Sequence, residues 1–376
     1  MRRKRGAMFQ PYKALYLHLP FCKKRCAYCD FETRAVSAGS VVITEYMDGL
    51  IGALEQAASE GKLASVETLY LGGGTPSHVG TFELSRLLEA LALCLPSDEG
   101  REWSMEANPE SISEGLLRAI FELGINRLSI GVQSFNDDVL KTLGRIHSAE
   151  DARNAVLAAK ACFENVSIDL MCGIPGQSFE DFDASLREAI ALGVSHVSVY
   201  PLTIEEGTPF AAMQAKGQLA EVDQDFQALM MQMAASSLEG SGLARYEVAS
   251  YAREGFECRH NSAYWKGLPY LGLGRSAVTM TQNDAKRMRV QDGEVIEELN
   301  RRQMLAEDLM LAMRMVQGVS EKELSQAALL LPDALVVFRQ LVHKGLLERK
   351  DGRYRPTLAG WLCGNELFGS ILDLCP

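Results

Sequence analysis

Residues 18–30 read His-Leu-Pro-Phe-Cys-Lys-Lys-Arg-Cys-Ala-Tyr-Cys-Asp and place three cysteines, Cys22, Cys26 and Cys29, within eight residues. A [4Fe–4S] cube needs four ligands, which are normally all Cys thiolates. Three thiolates on one short loop can hold three corners and leave the fourth iron open to a small molecule. Because an open metal site is reactive whereas a saturated one is usually structural, the spacing predicts a reactive iron–sulfur centre.

Two other readings of this loop stay open at the level of its residues. A zinc site would normally take a fourth Cys or His at short spacing, and His18, on a predicted strand, is the nearby candidate. The thiols could also cluster by chance. Spacing and flanking residues together favour the iron–sulfur cluster.

The composition is ordinary for a globular protein, with 47% hydrophobic and 23% charged residues among 376. A net charge of −11 argues against bulk affinity for nucleic acid or anionic membrane. No apolar stretch approaches the roughly 18 residues of a membrane span. The six remaining cysteines lack the regular spacing of a secreted disulfide framework. We therefore expect a cytoplasmic protein, in a reducing compartment that a labile cluster also requires.

Strand-like and helical patterns alternate from residue 14 to about residue 200. The predicted strands are 14–19, 66–71, 102–106, 127–131, 166–170 and 196–200. The amphipathic helices between them lie near 43–58, 82–93, 112–122, 150–161 and 180–191. Such alternation builds a parallel sheet. We predict an α/β fold, a partial (β/α)6 TIM-like barrel whose chemistry collects at the carboxyl ends of its strands.

Chemically distinctive residues recur at that end of successive predicted strands. The cysteine loop follows the first strand and Gly-Gly-Gly-Thr-Pro at 72–76 the second, Glu106 ends the third, Gln133 follows the fourth and Asp169 ends the fifth. A glycine run lets the backbone approach a ligand closely, and carboxylates can bind ribose hydroxyls or an ammonium group. Taken singly, the glycines could form a tight turn and the carboxylates could be helix caps or solvent-facing charges.

The sequence divides into four predicted segments. Residues 1–12 form a flexible basic tail, 13–245 the barrel, 246–295 an irregular segment rich in Tyr and Gly, and 296–376 a small helical, winged-helix-like domain. The last prediction rests on helices followed by a short hairpin that turns at Asp-Gly. Such modules often bind DNA, but the acidic chain makes a packing or docking role the better interpretation.

These residues resemble the radical S-adenosylmethionine (SAM) superfamily and, within it, the oxygen-independent coproporphyrinogen III oxidase group. The resemblance covers about residues 14–280 and is carried by the segments 16–22, 26–31, 72–77, 106–110, 129–135, 143–147 and 168–175. It implies that SAM chelates the open iron of the cluster. It further implies SAM contacts from Tyr16, Gly73 and Glu106, and a second SAM or substrate site lined by Tyr28, Gly74, Thr75, Gln133, Arg145 and Asp169.

Three features are closer to the HemW family of heme chaperones than to the oxidases. The oxidases carry a further cysteine two residues after the third, where this chain has Phe31, and a longer extension than the 21 residues before Cys22. His-Asn-Ser-Ala-Tyr-Trp at 260–265 is similar to the HNxxYW heme-binding signature of that family. The resemblance implies His260 as a heme ligand. The alternative is a hydrogen-bonded histidine beside core aromatics.

The resemblance thus implies a chaperone that binds heme and transfers it to apoproteins such as respiratory hemoproteins, with the cluster and SAM supporting the exchange. It would contact membrane-bound recipients only peripherally and would have no nucleic-acid partner. Residues 271–280 lack the Gly-His ending of that family and look closer to the oxidases. An oxidase that decarboxylates two propionates of coproporphyrinogen III therefore stays open, as does a DNA-binding regulator that uses residues 300–376.

Overall fold

The computed structural model describes residues 8–220 and 223–375. Residues 1–7 of the predicted tail lie outside the described residues. The remainder of that tail runs along the protein, and the Gln10 amide donates to the carbonyl of Gln282 at 2.8 Å.

The first part of the chain alternates strands and helices. The strands are β1 (Ala14–Leu19), β2 (Phe21–Cys22), β3 (Arg34–Ala35), β4 (Thr68–Gly73), β5 (Glu102–Ala107), β6 (Arg127–Gln133), β7 (Asn165–Cys172) and β8 (His196–Pro201). The helices are α1 (Val41–Ser59), α2 (Thr81–Cys94), α3 (Glu114–Glu122), α4 (Asp137–Thr142), α5 (Ala149–Cys162), α6 (Phe179–Ala191), α7 (Pro209–Ala215) and α8 (Gln224–Glu239), with short 3-10 turns at Pro76–Val79 and Pro109–Ser111.

Strands β1, β4, β5, β6, β7 and β8 lie side by side in that order, and each pairs with the next in parallel. This arrangement confirms the predicted partial (β/α)6 barrel. Along β1 the leucines at 15, 17 and 19 are buried in the main core, so the alternating Tyr16 and His18 are directed to the opposite face of the sheet.

The sequence specifies helix starts through serine caps. Ser148 and Ser178 each accept a hydrogen bond from the backbone amide three residues on, at Asp151 and Asp181. The two aspartates in turn accept from the backbone amides of the serines. These capping boxes satisfy amides that the first turn of α5 or α6 would otherwise leave unpaired, a contribution of about 1 kcal/mol each.

The segment predicted to be irregular is more regular than the sequence analysis expects. It contains or borders β9 (Ala244–Arg245), β10 (Ser250–Ala252), α9 (Arg259–Trp265), β11 (Tyr270–Leu273), β12 (Val278–Gln282), β13 (Lys286–Gln291) and β14 (Glu294–Asn300). Strand β11 pairs in parallel with β1, and β12 to β14 extend this edge as an antiparallel meander. At the other edge, β10 pairs with β8.

Buried charge explains why the β12–β14 meander is hard to predict. On β13, the guanidinium of Arg287 is 1% exposed and pairs with Glu307 and Asp308. Two residues on, Arg289 also pairs with Glu307. The most buried side chain of this strand is therefore an ion-paired arginine and not an apolar residue, so the hydrophobic pattern of the sequence does not mark its buried face.

The C-terminal part has a hydrophobic core of its own, with Phe338 and Leu324 fully buried in it. Its elements are α10 (Arg301–Ala312), β15 (Val319–Ser320), α11 (Glu321–Ala327), α12 (Ala334–His343), β16 (Leu347–Lys350), β17 (Arg353–Pro356), α13 (Leu358–Leu362) and α14 (Gly364–Leu372). The hairpin turns at Asp351 and Gly352, both with positive φ as a tight two-residue turn requires. Helices with a three-stranded sheet agree with the predicted winged-helix-like domain.

In the portion of the chain that the structure describes, we find no helix with the length and apolar character needed to cross a bilayer.

Candidate functional site

The cysteine loop lies at the mouth of the barrel and is anchored on both sides. It begins at β2 and ends at β3, which pair in parallel as a separate two-stranded sheet. At its centre, the Ala27 amide donates to the carbonyl of Leu143 and the Ala27 carbonyl accepts from the amide of Phe210, both at 3.0 Å. The loop is therefore held between the end of α4 and the start of α7.

The three thiols line one cavity of about 340 Å³. They are free cysteines, and polar groups contact two of them. The Thr75 hydroxyl lies 3.3 Å from Cys22 Sγ and Arg145 Nη1 lies 3.5 Å from Cys26 Sγ. Burial raises the pKa of Cys22 to about 11, and the Thr75 hydrogen bond opposes that shift.

Within residues 8–220 and 223–375, no group of three or more His, Cys, Asp or Glu side chains converges in a way that could hold one metal ion. The thiols instead face a shared cavity. The other groups in the walls of this cavity therefore indicate which kind of ligand it can bind.

Arg145 is one of two polar groups that indicate a ligand-binding position in the cysteine cavity. Its Nη2 donates to Asn108 Oδ1 at 2.8 Å and to the Gly131 carbonyl at 2.7 Å. Among the described residues, its buried Nε finds no hydrogen-bond partner, and neither does the buried hydroxyl of Thr33 in the same cavity wall. Buried polar atoms are nearly always paired, so these two groups mark where a bound ligand can supply partners.

Two carboxyl groups, Glu106 on β5 and Asp169 on β7, face the same cavity from either side of β6. Glu106 accepts from the Tyr70 hydroxyl at 2.9 Å and from the Gly73 amide at 3.1 Å. Burial raises the pKa of Glu106 to about 7, opposed chiefly by the Tyr70 hydrogen bond, and that of Asp169 to about 6, opposed chiefly by Arg127. Carboxyl groups poised near neutrality in a cleft are typical of a functional site.

Gln133 reaches the cavity because of a strained backbone. Its φ is 67°, and the register of β6 against β7 shifts between Ile130 and Gln133. A bulge of this kind re-aims a side chain at the end of a strand. Gly131 fits under the bulge because a Cβ there would lie 3.0 Å from Asn108 Oδ1 and from Gln133 Nε2.

Most of the residues predicted at this mouth come together in the structure. The cysteine cavity is lined by Cys22, Cys26, Cys29, Tyr28, Gly73, Gly74, Thr75, Glu106, Gln133, Arg145 and Asp169. Tyr16 and His260 do not line it. Asn108 and Thr33 also line the cavity and were not predicted as site residues, although Asn108 lies within the segment 106–110 that carries the family resemblance.

Tyr16 faces a second cavity, of about 580 Å³, next to the first. Its walls include the aromatic side chains of Phe31, Tyr264, Trp265 and Tyr270 together with the charged residues Asp30, Glu32 and Arg289. Phe31 and its neighbour Asp30 line both cavities. The second cavity therefore adjoins the cysteine cavity, across the position at which the oxidases are expected to carry a further cysteine.

His260 is buried, 1% exposed, and lies in neither cavity wall. Its Nδ1 is 3.0 Å from Thr68 Oγ1 and its Nε2 is 3.0 Å from the Tyr264 hydroxyl. Glu102 fixes this part of α9 by accepting from the backbone amides of Arg259 and His260. Burial lowers the pKa of His260 to about 3, so the imidazole is neutral. The structure does not present His260 directly to a ligand, and its contact with heme stays a prediction.

Comparison with known proteins agrees with this description. Residues 16–189 match the family model for the radical SAM superfamily, and residues 299–363 match that for the HemN C-terminal domain. The heme chaperone HemW of Bacillus subtilis is 33% identical over 96% of this chain and 99% of the relative. That of Escherichia coli is 37% identical over 71% of this chain and 70% of the relative.

A solved structure shares the fold across almost the whole chain. The coproporphyrinogen III oxidase HemN from Escherichia coli superposes with a TM-score of 0.78 and covers 97% of this chain and 90% of its own, at 22% identity. The barrel and its cysteine loop thus define a radical SAM protein. Because the match to the Bacillus subtilis relative spans both chains almost completely, the chain belongs more narrowly to the HemW family.

Proposed function

We propose that this protein binds heme and transfers it to apoproteins, as a HemW-like heme chaperone. The observation that carries the proposal is the aromatic cavity next to the cysteine loop. Tyr264 and Trp265, the last two residues of the HNxxYW segment, both line it. Cavities of several hundred Å³ with apolar walls and few polar groups are typical small-molecule sites, and the aromatic side chains offer flat surfaces to a porphyrin.

We further propose that Cys22, Cys26 and Cys29 hold a [4Fe–4S] cluster and that SAM binds beside it. The unpartnered Arg145 Nε and Thr33 hydroxyl support an additional polar ligand in this cavity. A cluster with SAM supplies one-electron chemistry when bound. The chain contributes hydrogen-bond donors to the sulfurs, a glycine edge at Gly73 and a carboxyl group at Glu106.

The second candidate is a coproporphyrinogen III oxidase. It is favoured by the stretch at 271–280, by the fold shared with HemN and by the near-complete set of resemblance residues at the barrel mouth. Phe31, at the position of the further cysteine of the oxidases, argues against it. We therefore assign no catalytic residue.

The recipients proposed for the heme are apoproteins, with the protein in the cytoplasm and only peripheral contact with membrane-bound recipients. No feature of the C-terminal domain leads us to propose a nucleic-acid partner for this acidic chain.

The test is to block the aromatic cavity. Val278, on β12, is part of its wall, and a Val278→Trp substitution would fill space that a porphyrin needs. We expect heme titration, followed by absorption under anaerobic conditions, to show saturable binding by the wild type and a loss of at least about tenfold in affinity in the variant. Val295→Trp is the matched control, because Val295 is 57% exposed on the edge strand β14, and it should bind like the wild type.

Equal binding by both tryptophan variants would contradict the proposed site. The same anaerobic preparation, with reductant and SAM, is incubated with coproporphyrinogen III. Formation of protoporphyrinogen IX would favour the oxidase over the chaperone.

A further inference from the structure

We propose that Tyr264, and not His260, binds the heme iron, and that His260 is a positioning residue for the Tyr264 phenol; this rests on the proposed function. The two residues lie one turn apart on α9, so their side chains share a face of the helix. Only Tyr264 lines the aromatic cavity. His260 lies outside the cavity wall, with its Nε2 at 3.0 Å from the Tyr264 hydroxyl.

His260 would have to abandon three interactions to reach a ligand in the cavity. These are the hydrogen bonds to Thr68 and to Tyr264, each 3.0 Å long, and a stack on Tyr70 with ring centroids 5.0 Å apart. Tyr264 shares only one of these interactions, its own hydrogen bond to His260, and its ring already lies in the wall, with its centroid 4.6 Å from that of Tyr270.

A tyrosine oxygen is a known axial ligand of heme iron. As the bond between this oxygen and ferric iron forms, the phenolic O–H bond breaks, the proton leaves to solvent, and the iron stays ferric. The phenolate then requires a hydrogen-bond donor. The protonated phenol can donate to Nε2 of His260 while Nδ1–H donates to the Thr68 hydroxyl.

The neutral imidazole of His260 can become that donor by exchanging its tautomer. A hydroxyl both donates and accepts, so Thr68 can donate to Nδ1 while Nε2–H donates to the phenolate. The imidazole remains neutral in both states. This exchange depends on the partner at Nδ1 being a hydroxyl.

A second tyrosine–histidine pair, Tyr16 and His18, lines the cavity and lacks this property. Nε2 of His18 lies 2.9 Å from the carbonyl of Glu32, which can only accept, so Nε2 carries the proton. Nδ1 of His18 then holds a lone pair and accepts from the Tyr16 hydroxyl at 3.0 Å. A phenolate at Tyr16 would face that lone pair. The hydrogen bonding therefore selects Tyr264 over Tyr16.

The test compares the ferric heme complexes of Tyr264→Phe, Tyr16→Phe, His260→Ala and His260→Gln by visible absorption and EPR. We expect the wild type to show a phenolate-to-iron charge-transfer band, Tyr264→Phe to lose it and Tyr16→Phe to keep it. His260→Ala should keep the band at a shifted energy with affinity about 10- to 100-fold weaker. His260→Gln, whose side-chain amide can donate to the phenolate, should recover most of that affinity. Circular dichroism checks the fold of each variant.

An unchanged spectrum in Tyr264→Phe would overturn the assignment, as would loss of the band in Tyr16→Phe. So would an imidazole-ligated wild-type spectrum that His260→Ala abolishes. These results leave saturable heme binding intact, so they are distinguishable from failure of the proposed function, in which the wild type shows no saturable binding at all.

Discussion

Cys26→Ala is expected to reduce the iron content of anaerobically prepared protein from about four atoms per chain to nearly none. Cys26 belongs to the loop whose thiols share one cavity, and its Sγ lies 3.5 Å from Arg145 Nη1. The two remaining thiolates bind only two of the four iron atoms of a cube, so the cluster is easily lost. Iron and acid-labile sulfide analysis, together with the visible absorption of the cluster, measure the effect.

Cys363→Ala is the matched control for that substitution. Cys363 is an exposed free cysteine in the C-terminal domain, outside the cavity, and its loss should leave the iron content unchanged. Full iron retention in Cys26→Ala would refute the cluster assignment. Zinc at one atom per chain without sulfide would instead support the alternative that the sequence analysis left open.

Gly74→Ala is expected to lower the free energy of unfolding by about 2–3 kcal/mol. A Cβ at Gly74 would lie 2.8 Å from the backbone N and O of Phe21 and 2.9 Å from the carbonyl of Leu19. These are backbone atoms, so relief requires β1 or β2 to move. Because Cys22 directly follows Phe21, the same movement should reduce cluster retention. Chemical denaturation and iron analysis of one preparation measure both effects.

Gly49→Ala separates a steric effect from a general effect of glycine replacement. Gly49 lies within α1, and a Cβ there would meet nothing within 4 Å. Because alanine is the better helix former, this control should gain about 0.5–1 kcal/mol. Gly74→Ala with unfolding and iron content equal to wild type would show that the β4 end does not hold the cysteine loop in place.

The barrel could be predicted closely because its signals are local. Strand β1 was predicted at its observed bounds, Ala14–Leu19, and the apolar runs of the other parallel strands lie within two residues of theirs. Parallel strands buried on both faces read as apolar runs, and serine caps mark the helices between them. The clustering of site residues follows from topology, because the carboxyl ends of such strands meet at one mouth.

The positions of Tyr16 and His260 outside the cysteine cavity depend on long-range contacts that the sequence does not reveal. Tyr16 lies on β1, but the cavity that it faces is formed with α9 and the β12–β13 meander. His260 pairs with Thr68, which lies 192 residues earlier, so its burial has no local signal. The bulge at Gln133 is likewise a matter of register between strands.

The most direct measurement of the central claim is the rate at which heme passes from the loaded protein to an apo-hemoprotein, followed by stopped-flow absorption while the acceptor concentration is varied. A chaperone that hands heme over within a complex predicts a rate that rises with acceptor concentration and exceeds spontaneous heme dissociation. A rate equal to spontaneous dissociation at every acceptor concentration would contradict the account.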